Sequence, residues 1–134
     1  MSHENLEVVR RAVAALNARD LDGYLACCTR DVELHTPEVF AGVYEGPQGI
    51  RRFLTDVEDA APDFHIDIQD LEGVGDDQVL AFIRTGSHGR ASRIPMAMTQ
   101  TNVYDLVDGK IRRIRIFPDH HQALKAVGLT AGDV

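Results

Sequence analysis

Residues 117–129 read FPDHHQALKAVGL, which places a carboxylate, two adjacent imidazoles and an amide ahead of an apolar tail. Side chains of these types can ligate a metal or move a proton, so their spacing decides what they do. Consecutive helical residues point about 100° apart, so His120 and His121 cannot both face one ion from a regular helix. The positive end of a helix also disfavours imidazolium. Asp119, three residues ahead of Gln122, fits the cap of a closing helix, where its carboxylate accepts from free first-turn amides. The spacing predicts a first-turn surface pair. His3, His35, His65 and His88 lie far apart, and the chain contains no H-E-x-x-H or Cys-x-x-Cys pattern. Neither a metal nor a cofactor is expected.

The segment IPMAMTQTNVYDLV is richer. By the period of two, Met96, Met98, Gln100, Asn102, Tyr104 and Leu106 share one strand face, and Ala97, Thr99, Thr101, Val103 and Asp105 share the other. Bulk and apolarity point the first face inward. Gln100 and Asn102 are then amides in an apolar row, each costly to bury without a hydrogen bond. They line a ligand pocket, or they satisfy neighbouring side chains and buried water; the residues leave both open. Tyr104 sets a hydroxyl beside them, and Tyr24 could bring another from a helix whose apolar face also suits core packing. His35 alternates away from Val32 and Leu34, which puts it at solvent or an interface. Arg112, Arg113 and Arg115 read as a solvated or interface surface. Gly46-Pro47-Gln48-Gly49 opens a helix and is not a phosphate loop, and no serine sits in a nucleophile-elbow context.

At 134 residues the chain is expected to form one domain, residues 1–134, burying about two-thirds of its unfolded surface. Its formal charge of -7, from 21 acidic against 14 basic side chains, opposes long-range attraction to nucleic acid and to anionic membranes. Adjacent Cys27 and Cys28 cannot form an unstrained disulfide, which fits reduced thiols in the cytoplasm. The N-terminal residues lack the pattern of an export signal, and no apolar run approaches a membrane span.

Leu6, Val9, Val13 and Leu16 mark a helix over about 3–18, and Leu21, Tyr24, Leu25 and Cys28 a shorter one capped by Asp20. Val32, Leu34 and Thr36 alternate into a short strand that Pro37 ends, and 37–46 reads as a loop. Pro47 starts a third helix bearing Ile50, Phe53, Leu54 and Val57. Strand character then fills 64–72, 78–88 and 93–107, Asp108-Gly109 signals a tight hairpin, and 110–117 returns. The tail 119–127 is helical, with Gly128 as its stop. Helices segregated from an antiparallel meander make an α+β fold.

This order, with ENLEVVRRAVAALNARDLDGYLACCTRDVELHTP, VYEGPQGIRRFL, DLVDGKIRRIRIF and PDHHQALKAVGL in it, resembles the SnoaL-like branch of the nuclear transport factor 2-like, ketosteroid isomerase-like superfamily. The likeness covers residues 4–129. It implies a cone-shaped, strongly curved antiparallel sheet closed by N-terminal helices, with a C-terminal helix, an enclosed pocket, and frequently a homodimer through the outer sheet face. The superfamily includes isomerases, polyketide cyclases, epoxide hydrolases and dehydratases as well as non-catalytic members, so fold alone does not give a reaction. The isomerases' base carboxylate falls at Thr36, their oxyanion-binding tyrosine at Ala12 and their second oxyanion donor at Asn102. The acid that some cyclase-like relatives carry in the last strand falls at Ile114 or Ile116.

The resemblance and the residues together imply a protein that binds a small, largely apolar organic molecule, oriented by Asn102, Gln100 and Tyr104 with Tyr24 and Thr36 nearby. Catalysis, if present, would be metal-independent isomerisation, cyclisation or hydration. Its base would be Asp119 turned into the pocket mouth, or His35 with the strand in the opposite phase. The alternative is a non-catalytic binding or dimerisation module. Thr99, Thr101 and Val103 form the outward face expected to pack against a second copy.

Overall fold

The computed structural model describes residues 2–36, 42–87 and 96–128. Helix α1 (Ser2–Asn17) buries Val9, Ala12, Val13 and Leu16 as their spacing requires. Arg19 then takes a left-handed φ of 59° that turns the chain into α2 (Leu21–Ala26). Its guanidinium fastens this corner: it donates to the carboxylate of Glu58 at 2.8 Å and to the carbonyls of Pro62 and Phe64 at 2.9 and 2.7 Å. Asp20 caps α2 by accepting from the amide of Gly23 at 3.0 Å.

Strand β1 (Cys28–His35) begins earlier than the alternation of Val32, Leu34 and Thr36 suggests, and α2 is correspondingly shorter. Tertiary pairing explains the shift: the Cys27 carbonyl accepts from Ile111 at 2.8 Å, and Cys28 stands opposite Ile111 in the sheet. The segment expected to be a loop contains β2 (Val43–Glu45), antiparallel to β1. With only Tyr44 of its residues buried, so short a strand has no alternation to read. Helix α3 (Gly46–Ala60) follows with Pro47 in its first turn. Gly49 lets it approach β2, since a Cβ there would stand 2.9 Å from the Tyr44 carbonyl carbon.

Strands β3 (His65–Val74), β4 (Gln78–Ser87), β5 (Met96–Val107) and β6 (Lys110–Phe117) form the expected meander, and α4 (His120–Ala126) closes the described chain. Asp108 and Gly109 take φ of 51° and 77°, as a two-residue hairpin demands. The curved six-stranded sheet has the order β2-β1-β6-β5-β4-β3. The β1–β6 junction is parallel, within a sheet otherwise antiparallel.

The inner face carries Val79, Ala81, Ile83, Tyr104, Leu106 and Ile114, packed with α1 and Tyr24. On the outer face Leu80 and Val103 pack with Ala123 and Leu124 of α4. This corrects two residues of the expected self-association face: Thr99 is exposed, but Thr101 and Val103 are already buried, at 2% and 0% exposure. Period two marks them as a face, but only the folded-back helix determines what covers it. Met98, assigned inward by the same period, is 61% exposed. No helix among the described residues is long and apolar enough to cross a membrane.

Candidate functional site

Three alternate residues of β5 form a polar row on the inner face. Gln100 donates from Nε2 to Oδ1 of Asn102 at 3.0 Å, and Asn102 donates from Nδ2 to the Tyr104 hydroxyl at 3.5 Å. Apolar neighbours flank the row by register: Ala81 and Ile116 beside Asn102, Val79 and Ile114 beside Tyr104, and Ile83 beside Gln100. Asn102 and Tyr104 are buried, while Gln100 is half-buried. The amides therefore satisfy one another in part, which lowers the cost of placing them in this wall.

Tyr24 reaches the same region from α2. Burial pushes its phenol well above its ordinary range, and the neighbouring Tyr104 and the thiols of Cys28 and Cys27 add to the rise. Tyr104 is raised too, first by burial, with the Asn102 hydrogen bond opposing. Both phenols are thus neutral O–H groups at ordinary pH.

The structure does not bring the other predicted residues to this row. Thr36 is tied into its own loop, donating from its amide and its hydroxyl to the Gly42 carbonyl at 2.7 and 3.0 Å. His35 lies 2.9 Å from Glu33 and, being opposite Arg115 in the sheet, on the outer side. The His35 hydrogen bond, with Arg112 nearby, holds the Glu33 carboxyl below its usual range. Asp119 is the cap that its spacing implies, accepting from the His121 amide at 2.8 Å. His65, which has no evident partner in sequence, lies 3.6 Å from Asp67. His88 lies outside the described residues.

The structure also shows what spacing alone misses. His120 places Nδ1 3.1 Å from the Thr101 hydroxyl and sets its ring on Phe82, at 4.6 Å between centroids. No local pattern announces a contact across nineteen residues. Each arginine of the basic run takes an acidic partner: Arg112 meets Asp31 at 3.0 Å, while Arg113 and Arg115 approach Asp105 at 2.7 and 3.5 Å. Two open clefts stand out among the described residues. One of about 570 Å3 lies among α1, α2 and the β5–β6 turn, and one of about 220 Å3 lies against β3–β5 at the start of α4. Gln100 lines the smaller one; Asn102, Tyr104 and Tyr24 line neither. Among the described residues, no group of three or more His, Cys, Asp or Glu side chains is poised to hold a metal ion.

The architecture recurs in solved structures. TerC, co-crystallized with polyporic acid, is 22% identical, with a TM-score of 0.77 over 92% of this chain and 98% of that one. An NTF2-like protein of unknown function from Burkholderia pseudomallei is 16% identical, with a TM-score of 0.79 over 93% and 98%. A hypothetical protein with a ketosteroid isomerase-like fold from Catenulispora acidiphila, in complex with trimethylamine, is 17% identical, with a TM-score of 0.76 over 94% and 95%. No curated protein matches the chain. The SnoaL-like domain family matches residues 9–114, from within α1 into β6. With the three helices, the curved sheet and the C-terminal helix all in the order that family implies, the chain belongs to the SnoaL-like domain family of the nuclear transport factor 2-like fold.

Proposed function

We propose that the protein binds a small, largely apolar organic molecule on the inner face of the sheet, with its polar end held by Gln100, Asn102, Tyr104 and Tyr24. The observation that carries this is the row of polar side chains along β5 within an otherwise apolar wall. A core that needed only packing would place hydrocarbon at those positions at lower cost. Two neutral phenols and two amides suit an uncharged or weakly acidic oxygen ligand. TerC and the Catenulispora protein, each crystallised with a small organic molecule, support that use of the fold.

The reading is one of binding. Asp119 is engaged as a helix cap and His35 with Glu33, so neither candidate base serves the row. Thr36 stands where the isomerases have a carboxylate, and buried Ala12 where they have a hydroxyl. Negligible ketosteroid isomerase turnover is therefore expected. Free Cys27 and Cys28 suit a reducing compartment such as the cytoplasm.

The alternative, a module whose amides only hold structure, is favoured by two observations: the amides bond to each other, and Asn102, Tyr104 and Tyr24 line neither cleft. Asn102→Leu and Gln100→Leu separate the two. If the row recognises ligand, a compound found by screening the parent protein loses about 1–3 kcal/mol of affinity in either variant, with thermal stability little changed. Unchanged affinity together with a lowered unfolding temperature selects the structural module instead.

We further infer that two copies pair across the part of the outer face that α4 leaves open. Arg115 Nε is buried with no hydrogen-bond partner among the described residues, and burial also lowers the pKa of this guanidinium. Val43 and Val107 are 42% and 50% exposed at the two ends of this surface. Acidic Asp31 and Glu33 beside the three arginines give it the self-complementary charge that a two-fold contact requires.

A further inference from the structure

The outer sheet face carries an arrangement that neither the amide row nor a dimer explains. The smaller cleft, about 220 Å3, lies over the β3–β5 part of the sheet, lined by Gln69, Phe82, Thr99, Thr101 and His120 among others. Gln69 sits where the register of β3 shifts against β4, between Ile68 and Asp70, an irregularity of the kind that re-aims a side chain.

Thr101 lies at the base of this cleft. Its side chain is buried, and among the described residues its hydroxyl has one hydrogen-bond partner, Nδ1 of His120 at 3.1 Å. A buried hydroxyl proton without an acceptor has lost its hydration for nothing, so Thr101 donates and Nδ1 accepts. The neutral imidazole must then carry its proton on Nε2, because the bond made by one ring nitrogen fixes the other. Phe82 supports the ring, with 4.6 Å between centroids and 56° between planes. His120 is thus an exposed side chain held at one nitrogen and on one ring face, presenting an oriented N–H donor.

We propose that this cleft is a binding site for a small molecule that joins a single apolar ring to a hydrogen-bond acceptor oxygen, a carbonyl or carboxylate, and that His120 Nε2–H recognises the oxygen. Size supports this: a cavity of about 150 Å3 holds benzene, so one ring with a short substituent fits here. The lining supports it too, with Phe82 for the ring and the Gln69 amide for further hydrogen bonding. Thr101 and Phe82 point away from Asn102 by the alternation of their strands, so this site opens on the outer face and meets the inner-face reading only at its Gln100 and Ile83 edge.

The probes are benzoate, benzamide and toluene, titrated into uniformly 15N-labelled protein while the amide shifts of Thr99, Thr101 and His120 are followed. Benzoate or benzamide should move these signals with saturation, and toluene should bind at least about tenfold more weakly, the loss of one oriented hydrogen bond. His120→Phe keeps a ring on Phe82 but lacks the donor, and should weaken the acceptor-bearing probe by a similar factor. Toluene binding as tightly as both other probes, or His120→Phe binding them unchanged, would overturn the assignment. The parent protein gives a test that needs no variant: long-range 1H–15N spectra at about pH 8 should show the Nε2–H tautomer, and a dominant Nδ1–H tautomer ends the proposal.

Discussion

Burial gives Cys28 a chemistry its residue type does not predict. Its thiol donates to the Tyr24 carbonyl at 3.4 Å, and desolvation, with Cys27 adding and Lys110 opposing, raises its pKa from 9.0 to about 12. An unfolded chain releases this proton near the ordinary value, while the folded chain keeps it. Between those values the unfolded state binds fewer protons, so stability falls as pH rises. The contribution is whole below pH 9.0 and gone near 12, with Tyr24 and Tyr104 acting in the same direction above their ordinary 10.0. The unfolding temperature should therefore drop more steeply from neutral to alkaline pH in the parent than in Cys28→Ala. Parallel declines would show that the thiol does not carry the effect. Much at this scale is legible in the sequence: the period of two sets Gln100, Asn102 and Tyr104 side by side, and Asp119 ahead of Gln122 marks a cap. The partner of His120 is not legible, because a hydrogen bond to Thr101 depends on where a distant helix comes to rest.

Helix α4 is short, and its hold on the sheet comes from Ala123 and Leu124 against Leu80 and Val103. So short a helix is marginal alone in water and depends on its cap and its packing. Asp119→Ala should lower stability by about 0.5–2 kcal/mol, whereas His121→Ala should change it little; denaturant titration of both variants checks this. Equal losses would mean that the first turn is held by something other than the Asp119 carboxylate. Long periodic elements were readable for the same physical reason that they are stable, since each repeats a buried face several times. β2 and the first turn of β1 escape such reading. Their conformations are fixed by neighbours: β2 by pairing with β1, and Cys28 by standing opposite Ile111.

For the molecule as a whole, α4 divides the outer face into a covered part and an open one. The sequence suggests a sheet-to-sheet dimer and assigns it to Thr99, Thr101 and Val103; Thr99 stays exposed, but Thr101 and Val103 are already buried. The contact proposed here is centred on Arg115 and flanked by Val43 and Val107. Light scattering at micromolar concentration should give twice the chain mass, and Val43→Glu should shift it toward the monomer with the unfolding temperature of each chain little changed. A monomeric parent would refute the pairing.

The parallel junction of β1 with β6 has a consequence in time. These strands lie near opposite ends of the chain, with Cys28 opposite Ile111 and His35 opposite Arg115, so every other strand is made between them. Joining them requires closing a loop that contains most of the molecule, and contacts so distant in sequence slow folding. Synthesis imposes the same order: β1 leaves the ribosome long before its partner exists, while β3, β4 and β5 can pair in sequence as they appear. One edge of β1 thus waits, occupied on its other side by β2 alone, until residues 110–117 emerge and add the last internal strand to the sheet.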